Sequence, residues 1–263
     1  MVGPLAGQRR VTEHALLVDT SAGTIAAVVT LPDAEPRAGV VILEGSKGTR
    51  SGANQLWVRM ARSLREDGIA TLRADYAGMA ESWDADIHDI VGGARDLGCW
   101  FAGQVGEIVI VAECYGLTPA HSLCREDVDI VGIAVIAPPL YPDRPFPTRG
   151  NRSLRRRLRL AMLRARSWRS TRRARKAQGV DSATAIRGLV ERAPTRIFAG
   201  DRDLCFPPLD ALLPELQRLG TAELEVSHDL RLHRARTPEA QEAILGGVTA
   251  WVRECVRSVQ ETV

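Results

Sequence analysis

Glu107-Ile-Val-Ile-Val-Ala-Glu-Cys-Tyr-Gly116 is the stretch that decides how this chain folds. Its β-branched apolar run predicts a buried strand over Glu107–Ala112. That strand leads straight to Cys114, with the small residue Ala112 two positions before it and Gly116 two after. Helical spacing begins at once, over Leu117–Cys124. The pattern is a sharp strand–turn–helix elbow, the G-x-S-x-G spacing with cysteine in the serine position. Small flanking residues are needed because the turn is too tight for large side chains. Such an elbow would lift Cys114 to the crest of a sheet and set it at a helix N-terminus. The positive end of that helix favours the thiolate, the reactive form of a cysteine.

Outward from the elbow, short apolar runs alternate with helical segments. His14–Asp19 and Thr24–Leu31 read as strands joined by a hairpin at Ser21-Ala22-Gly23. Val40–Leu43, Ile69–Arg73, Ile130–Ile136, Thr195–Ala199 and Ala222–Val226 are further strands. Helices are predicted over Asn54–Glu66, Ile87–Phe101, Leu209–Leu219 and Glu239–Val256. Short strands alternating with helices imply an α/β fold, a mostly parallel sheet covered by helices on both faces. We read residues 1–263 as a single domain. The rhythm breaks over Pro138–Ala193, too long for a simple crossover, Pro-rich at its start and then basic. We read residues 138–193 as an inserted helical cap over the carboxyl ends of the strands.

Composition narrows the function classes. In 263 residues, 45% are hydrophobic and 25% charged, ordinary for a globular protein with a sizeable core. No apolar run approaches the ~18 residues of a membrane span, so no membrane role is expected. Met1–Arg10 does not read as a secretory signal. The five cysteines (Cys99, Cys114, Cys124, Cys205, Cys255) lack CxxC spacing and are odd in number, which points to a reducing cytoplasm. The histidines and cysteines show no metal-ligand spacing, and no metal or other cofactor is expected. The net charge is only +3, but the segment from Arg149 to Lys176 is dense in arginine and holds no acid. It reads either as a solvated amphipathic face or as a dock for an anionic carrier, coenzyme A or an acyl carrier protein. Nucleic acid is not the expected partner, since one segment alone is basic and no base-stacking module is present.

With the elbow and the alternating pattern in place, the chain resembles the α/β-hydrolase family, in a cysteine-nucleophile form, over nearly its whole length. Ile69–Ser82 is similar to that family's strand ending in a D-x-x-G-type loop, here Asp75-Tyr-Ala-Gly-Met-Ala-Glu-Ser82. Two departures mark the elbow: Ala112 replaces the first glycine, and Glu113 stands where histidine is common. The resemblance implies an acid after the strand Thr195–Ala199 and a histidine after the last strand. Asp203 in Gly200-Asp-Arg-Asp203 fits the acid, with Asp201 as alternate. His228 fits the histidine, with His233 as alternate. It further implies an oxyanion hole from the Tyr115 backbone N–H and the Gly45–Ser46 loop. Glu44 sits where dienelactone hydrolases, cysteine members of the fold, also carry a glutamate that influences the resting thiol. Glu113 is a second candidate carboxylate.

The expected chemistry is a Cys114 thiolate, activated by the histidine, attacking the acyl carbonyl of an ester, lactone or thioester. Hydrolysis, acyl transfer, lyase-type elimination of an acyloxy group and a non-catalytic binding role all remain open at this stage.

Overall fold

Ile108–Glu113, the strand β5 of the quoted stretch, is wholly buried at the middle of an eight-stranded sheet. The computed structural model describes residues 12–45, 49–140, 180–233, 235 and 237–261. Around β5 run β1 (Glu13–Thr20), β2 (Gly23–Thr30), β3 (Ala38–Leu43), β4 (Ile69–Ala74), β6 (Ile130–Ile136), β7 (Thr195–Gly200) and β8 (Ala222–Ser227). The order across the sheet is β1-β2-β4-β3-β5-β6-β7-β8. The first two strands form an antiparallel hairpin that joins β4 antiparallel; every later pairing is parallel. Parallel neighbours need crossover helices, and the sequence supplies them between strands.

These helices are α1 (Leu56–Glu66), α2 (Ile90–Val105), α3 (Leu117–Leu123), α4 (Ser182–Arg192), α5 (Phe206–Leu219) and α6 (Pro238–Gln260). Helices α1 and α6 pack together in one layer, while α2, α3, α4 and α5 follow one another in the other. Each helix turns its apolar stripe to the sheet: Leu56, Trp57, Met60 and Leu64 of α1 are all at most 2% exposed. Trp251 of α6 donates its indole N–H to the Ile133 carbonyl at 3.0 Å, and Arg196 stacks on its ring.

Among the differences from the sequence reading, three have a clear local reason. Helix α2 starts at Ile90, after a 3-10 turn over Ile87–Asp89. Asp86 and Asp89 cap these two pieces in succession, accepting from the His88 and Gly92 N–H groups. Helix α5 starts at Phe206 rather than Leu209, because Pro207 and Pro208 fall in its first turn, where a missing N–H costs nothing. Residues 182–192, inside the expected cap, form a crossover helix whose Ala185, Ile186, Leu189 and Val190 are buried. Residues 141–179, with the whole basic segment, lie outside the described residues.

The elbow is as tight as its sequence demands. Cys114 has a φ of 49°, the left-handed region that a residue with a side chain occupies only under strain. A Cβ built on Gly116 would fall 1.9 Å from the Leu43 carbonyl oxygen, so the turn can press against β3 only if residue 116 is glycine. We therefore expect Gly116→Ala to cost about 3 kcal/mol, a fall of roughly 10 °C in the unfolding midpoint, read by thermal denaturation. Gly103→Ala is the control. A Cβ there meets nothing within 4 Å, and alanine favours the helix, so stability holds or rises.

Candidate active site

The site is assembled from the carboxyl ends of β3, β4, β5, β6 and β7 and from the loop after β8, where open α/β sheets place their ligands. Cys114 tops β5 and is 4% exposed. The loop after β3 lies directly against it, for a Cβ on Gly45 would stand 3.5 Å from the Cys114 Cβ. Tyr115, the other expected oxyanion donor, follows Cys114 in the turn over Cys114–Gly116. Ser46 lies outside the described residues. At the end of β6, Ala137 also takes a left-handed φ, 42°, so two neighbouring strand tips carry backbone strain beside the same space.

Asp203 is the buried acid of the site, 5% exposed. One oxygen, Oδ2, accepts the backbone N–H groups of Gly200 and Leu232, each at 2.9 Å. The other, Oδ1, accepts the backbone N–H of His233 at 3.2 Å. Three N–H groups thus clamp the carboxylate and fix the His233 backbone beside it. Asp203, His233, Cys205, Leu204, Arg231, Ala137 and Pro138 line one cavity of about 190 Å³. Cys205 links this cavity to the elbow, because its thiol lies within electrostatic reach of both Asp203 and Cys114. Burial first, then Asp203, pushes that thiol up to about 12, so Cys205 lines the site as an inert SH group. Burial also pushes Cys124 and Cys255 up to about 12, and they pack as core residues.

The two candidate histidines stand in different places. His228 directly follows β8, but its ring is 85% exposed, with Nδ1 3.4 Å from Asp201 Oδ2 at the surface. It does not line the Asp203 cavity; His233 does. The cause is the loop path after β8. Asp229 takes a φ of 60° and turns the chain back, the Leu230 carbonyl accepts the Arg202 N–H at 3.1 Å, and Leu232 reaches Asp203. The loop runs over Gly200 so closely that a Cβ there would meet the Leu230 oxygen at 2.2 Å. The alternate acid, Asp201, is the partner of the exposed His228 and not of the cavity.

Beside Cys114 lies a cluster of acids. Glu44 is pushed up to about 8, by burial first and then by the Glu113 carboxylate. Its Oε2 is buried without a hydrogen-bond partner among the described residues. The Trp57 indole is near enough to favour the ionised form, although its Nε1 makes no well-formed hydrogen bond. Tyr76 donates its phenol O–H to the Glu44 carbonyl at 2.5 Å. Burial, with Glu44, Glu113 and Cys114 around it, holds that phenol well above its usual range.

Neither Tyr76 nor Trp57 was singled out from the sequence. Tyr76 is the second residue of the recognised Asp75–Ser82 loop, yet its contact with Glu44 spans strands that are distant in the chain. The same loop has a second task. Asp75 accepts the Arg50 backbone N–H at 2.9 Å and pairs with the Arg50 guanidinium, which also reaches Glu81. This bracket ties the loop carrying Arg50 to the end of β4. Ser82 Oγ accepts the Ala26 N–H at 2.8 Å, anchoring the other end of the Asp75–Ser82 loop to β2.

Strand order, elbow, buried acid and returning histidine loop together define the α/β-hydrolase fold. No protein-family model and no curated protein sequence matches the chain. Solved structures do. A carboxyl esterase from Bacillus coagulans superposes with a TM-score of 0.68 at 11% identity, over 93% of this chain and 99% of that one. Est1E from Butyrivibrio proteoclasticus, bound to ferulic acid, gives 0.66 at 16% identity over 92% and 100%. Proline iminopeptidase from Mycobacterium smegmatis gives 0.64 at 14% over 94% and 100%. At such identities the likeness establishes the fold. Among the described residues, no group of three histidine, cysteine, aspartate or glutamate side chains is placed to hold a metal ion, and no helix is long and apolar enough to cross a membrane.

Proposed function

We propose that the chain is an acyl hydrolase or acyltransferase that works on an ester, lactone or thioester through a covalent Cys114 acyl-enzyme, with His233 as base and Asp203 as its orienting acid. The observation that carries this reading is Cys114 itself, held at a left-handed φ on the strained elbow between β5 and α3. A cysteine that merely fills a core needs no such backbone; a nucleophile that must face a substrate does. The placement of His233 against the clamped Asp203 supports the second part. The esterase and peptidase chemistry named for the structural neighbours agrees with the reading.

In this mechanism His233 takes the Cys114 proton, and Asp203 keeps the imidazole in the required orientation and stabilises its charged form. The thiolate attacks the acyl carbonyl, and the alcohol or thiol leaves with the proton from His233. Water or another acceptor then attacks the thioester and releases the acid or the transferred product. The cavity of about 190 Å³ beside Asp203 suits a short acyl group. An acyl carrier or coenzyme A could deliver it, with the basic segment as its dock.

The experiment is a screen of short aryl esters, lactones and acyl thioesters against wild type and Cys114→Ala. The reading expects at least one class to be turned over by wild type, with the turnover lost in the variant. Turnover that survives Cys114→Ala would refute it.

A further inference from the structure

The Glu44 carboxyl, on the loop that lies against Cys114, has no task in the mechanism above. We propose that Glu44 acts in its protonated form, donating a hydrogen bond to the oxyanion that forms when Cys114 attacks an acyl carbonyl. The inference deepens the acyl-transfer reading and rests on it.

Placement comes first. Glu44 opens the loop after β3, immediately before Gly45, the residue that lies against the Cys114 side chain. Its Oε2 is buried with no partner among the described residues, so a proton on it has no acceptor in the resting site. The groups facing it come from three elements: Glu113 from the end of β5, Asp75 and Tyr76 from the end of β4, and Trp57 from α1. None of these is a cation. Tyr76 cannot serve instead, since its O–H is committed to the Glu44 carbonyl.

Charge balance then selects the protonation state. Two carboxylates and a thiolate crowded into one buried site cannot all be ionised. If Cys114 is to be the thiolate, one acid must keep its proton, and Glu44 is the one that burial and Glu113 hold protonated up to about pH 8. A neutral carboxylic acid on the loop beside the elbow is a hydrogen-bond donor close to where negative charge develops. An ionised one would repel both the thiolate and the oxyanion.

The Cys114 sulfur forms a bond to the carbonyl carbon, and the C=O π pair moves to oxygen. The Glu44 O–H donates to that oxyanion, and its proton stays on Glu44. On collapse the C=O reforms, the bond to the leaving group breaks, and the leaving group takes its proton from the His233 imidazolium. Water then attacks the thioester carbonyl while His233 takes a proton from it. The same donor meets the second oxyanion before the C–S bond breaks.

The test is kcat/KM against pH for one aryl ester, with wild type, Glu44→Gln and Glu44→Leu. Wild type should lose activity about tenfold per pH unit above about 8, as the donor ionises. Glu44→Gln keeps an N–H donor that never ionises, so its rate should fall only a few-fold and its alkaline limb should vanish. Glu44→Leu has no donor and should fall about 100-fold. The proposal is overturned if Glu44→Gln falls as far as Glu44→Leu, or keeps the alkaline limb.

A second readout is independent of turnover. The infrared difference spectrum of wild type minus Glu44→Gln at neutral pH should carry the C=O stretch of a protonated carboxyl. Carboxylate bands in its place would overturn the proposal while leaving Cys114-dependent turnover intact. Absence of any turnover with the protonated band present would instead sink the acyl-transfer reading, and the oxyanion role with it.

Discussion

Replacing His233 with alanine is expected to lower kcat/KM for an aryl ester about 1000-fold, whereas His228→Ala should leave it within about twofold. The asymmetry follows from where the two rings stand. His228 is open to solvent and faces Asp201, so its loss removes one weak surface contact. His233 lines the cavity with Asp203, which accepts its backbone N–H. On the proposed mechanism, removing its imidazole would leave Cys114 without a proton acceptor and the leaving group without a donor. His233→Ala retains the backbone N–H to Asp203, so the thermal midpoint should change little, and the loss should fall on kcat. Steady-state kinetics on both variants decides the matter. A large loss in His228→Ala with little change in His233→Ala would return the assignment to the histidine that the sequence favoured.

The second large effect concerns the nucleophile. Cys114→Ser should fold as wild type yet lose at least about 100-fold in acylation rate. The elbow accepts serine sterically, since the two side chains differ by one atom. What changes is acidity: a thiol ionises within reach of a histidine, whereas a hydroxyl must lose its proton during attack. The acids Glu44 and Glu113 close by make a fully formed alkoxide costly. Cys205 cannot stand in, because burial keeps its thiol pushed up to about 12. The pre-steady-state burst of released aryl alcohol is the measurement. A serine variant with an undiminished burst would show that the site is not tuned for sulfur.

Most of the fold was legible because its signals are local. The run Ile108–Val111 could only be a buried strand, and the spacing of Ala112, Cys114 and Gly116 fixed the elbow. The tight turn at Asp203 was legible as well, closed by the Asp203 N–H donating to the Gly200 carbonyl at 2.9 Å. The surface position of His228 was hidden for a physical reason. Adjacency to a strand end predicts position only when the chain keeps its direction, and Asp229 reverses it. That reversal is stabilised by Leu230 and Leu232 reaching Arg202 and Asp203, contacts that no local pattern encodes. The contact of Tyr76 with Glu44 was hidden in the same way, by pairing between elements far apart in sequence. Helix α5 was read short because prolines signal breaks in a sequence, while a first helical turn accepts them.

A covalent bond between substrate and the Cys114 sulfur can be weighed directly. Wild-type protein quenched in acid during turnover of a short aryl ester or acyl thioester is analysed by intact mass and peptide mapping. The expected result is a gain equal to the acyl group, on the peptide bearing Cys114 and absent from Cys114→Ala. Turnover with no such adduct, or an adduct confined to another residue, would contradict it.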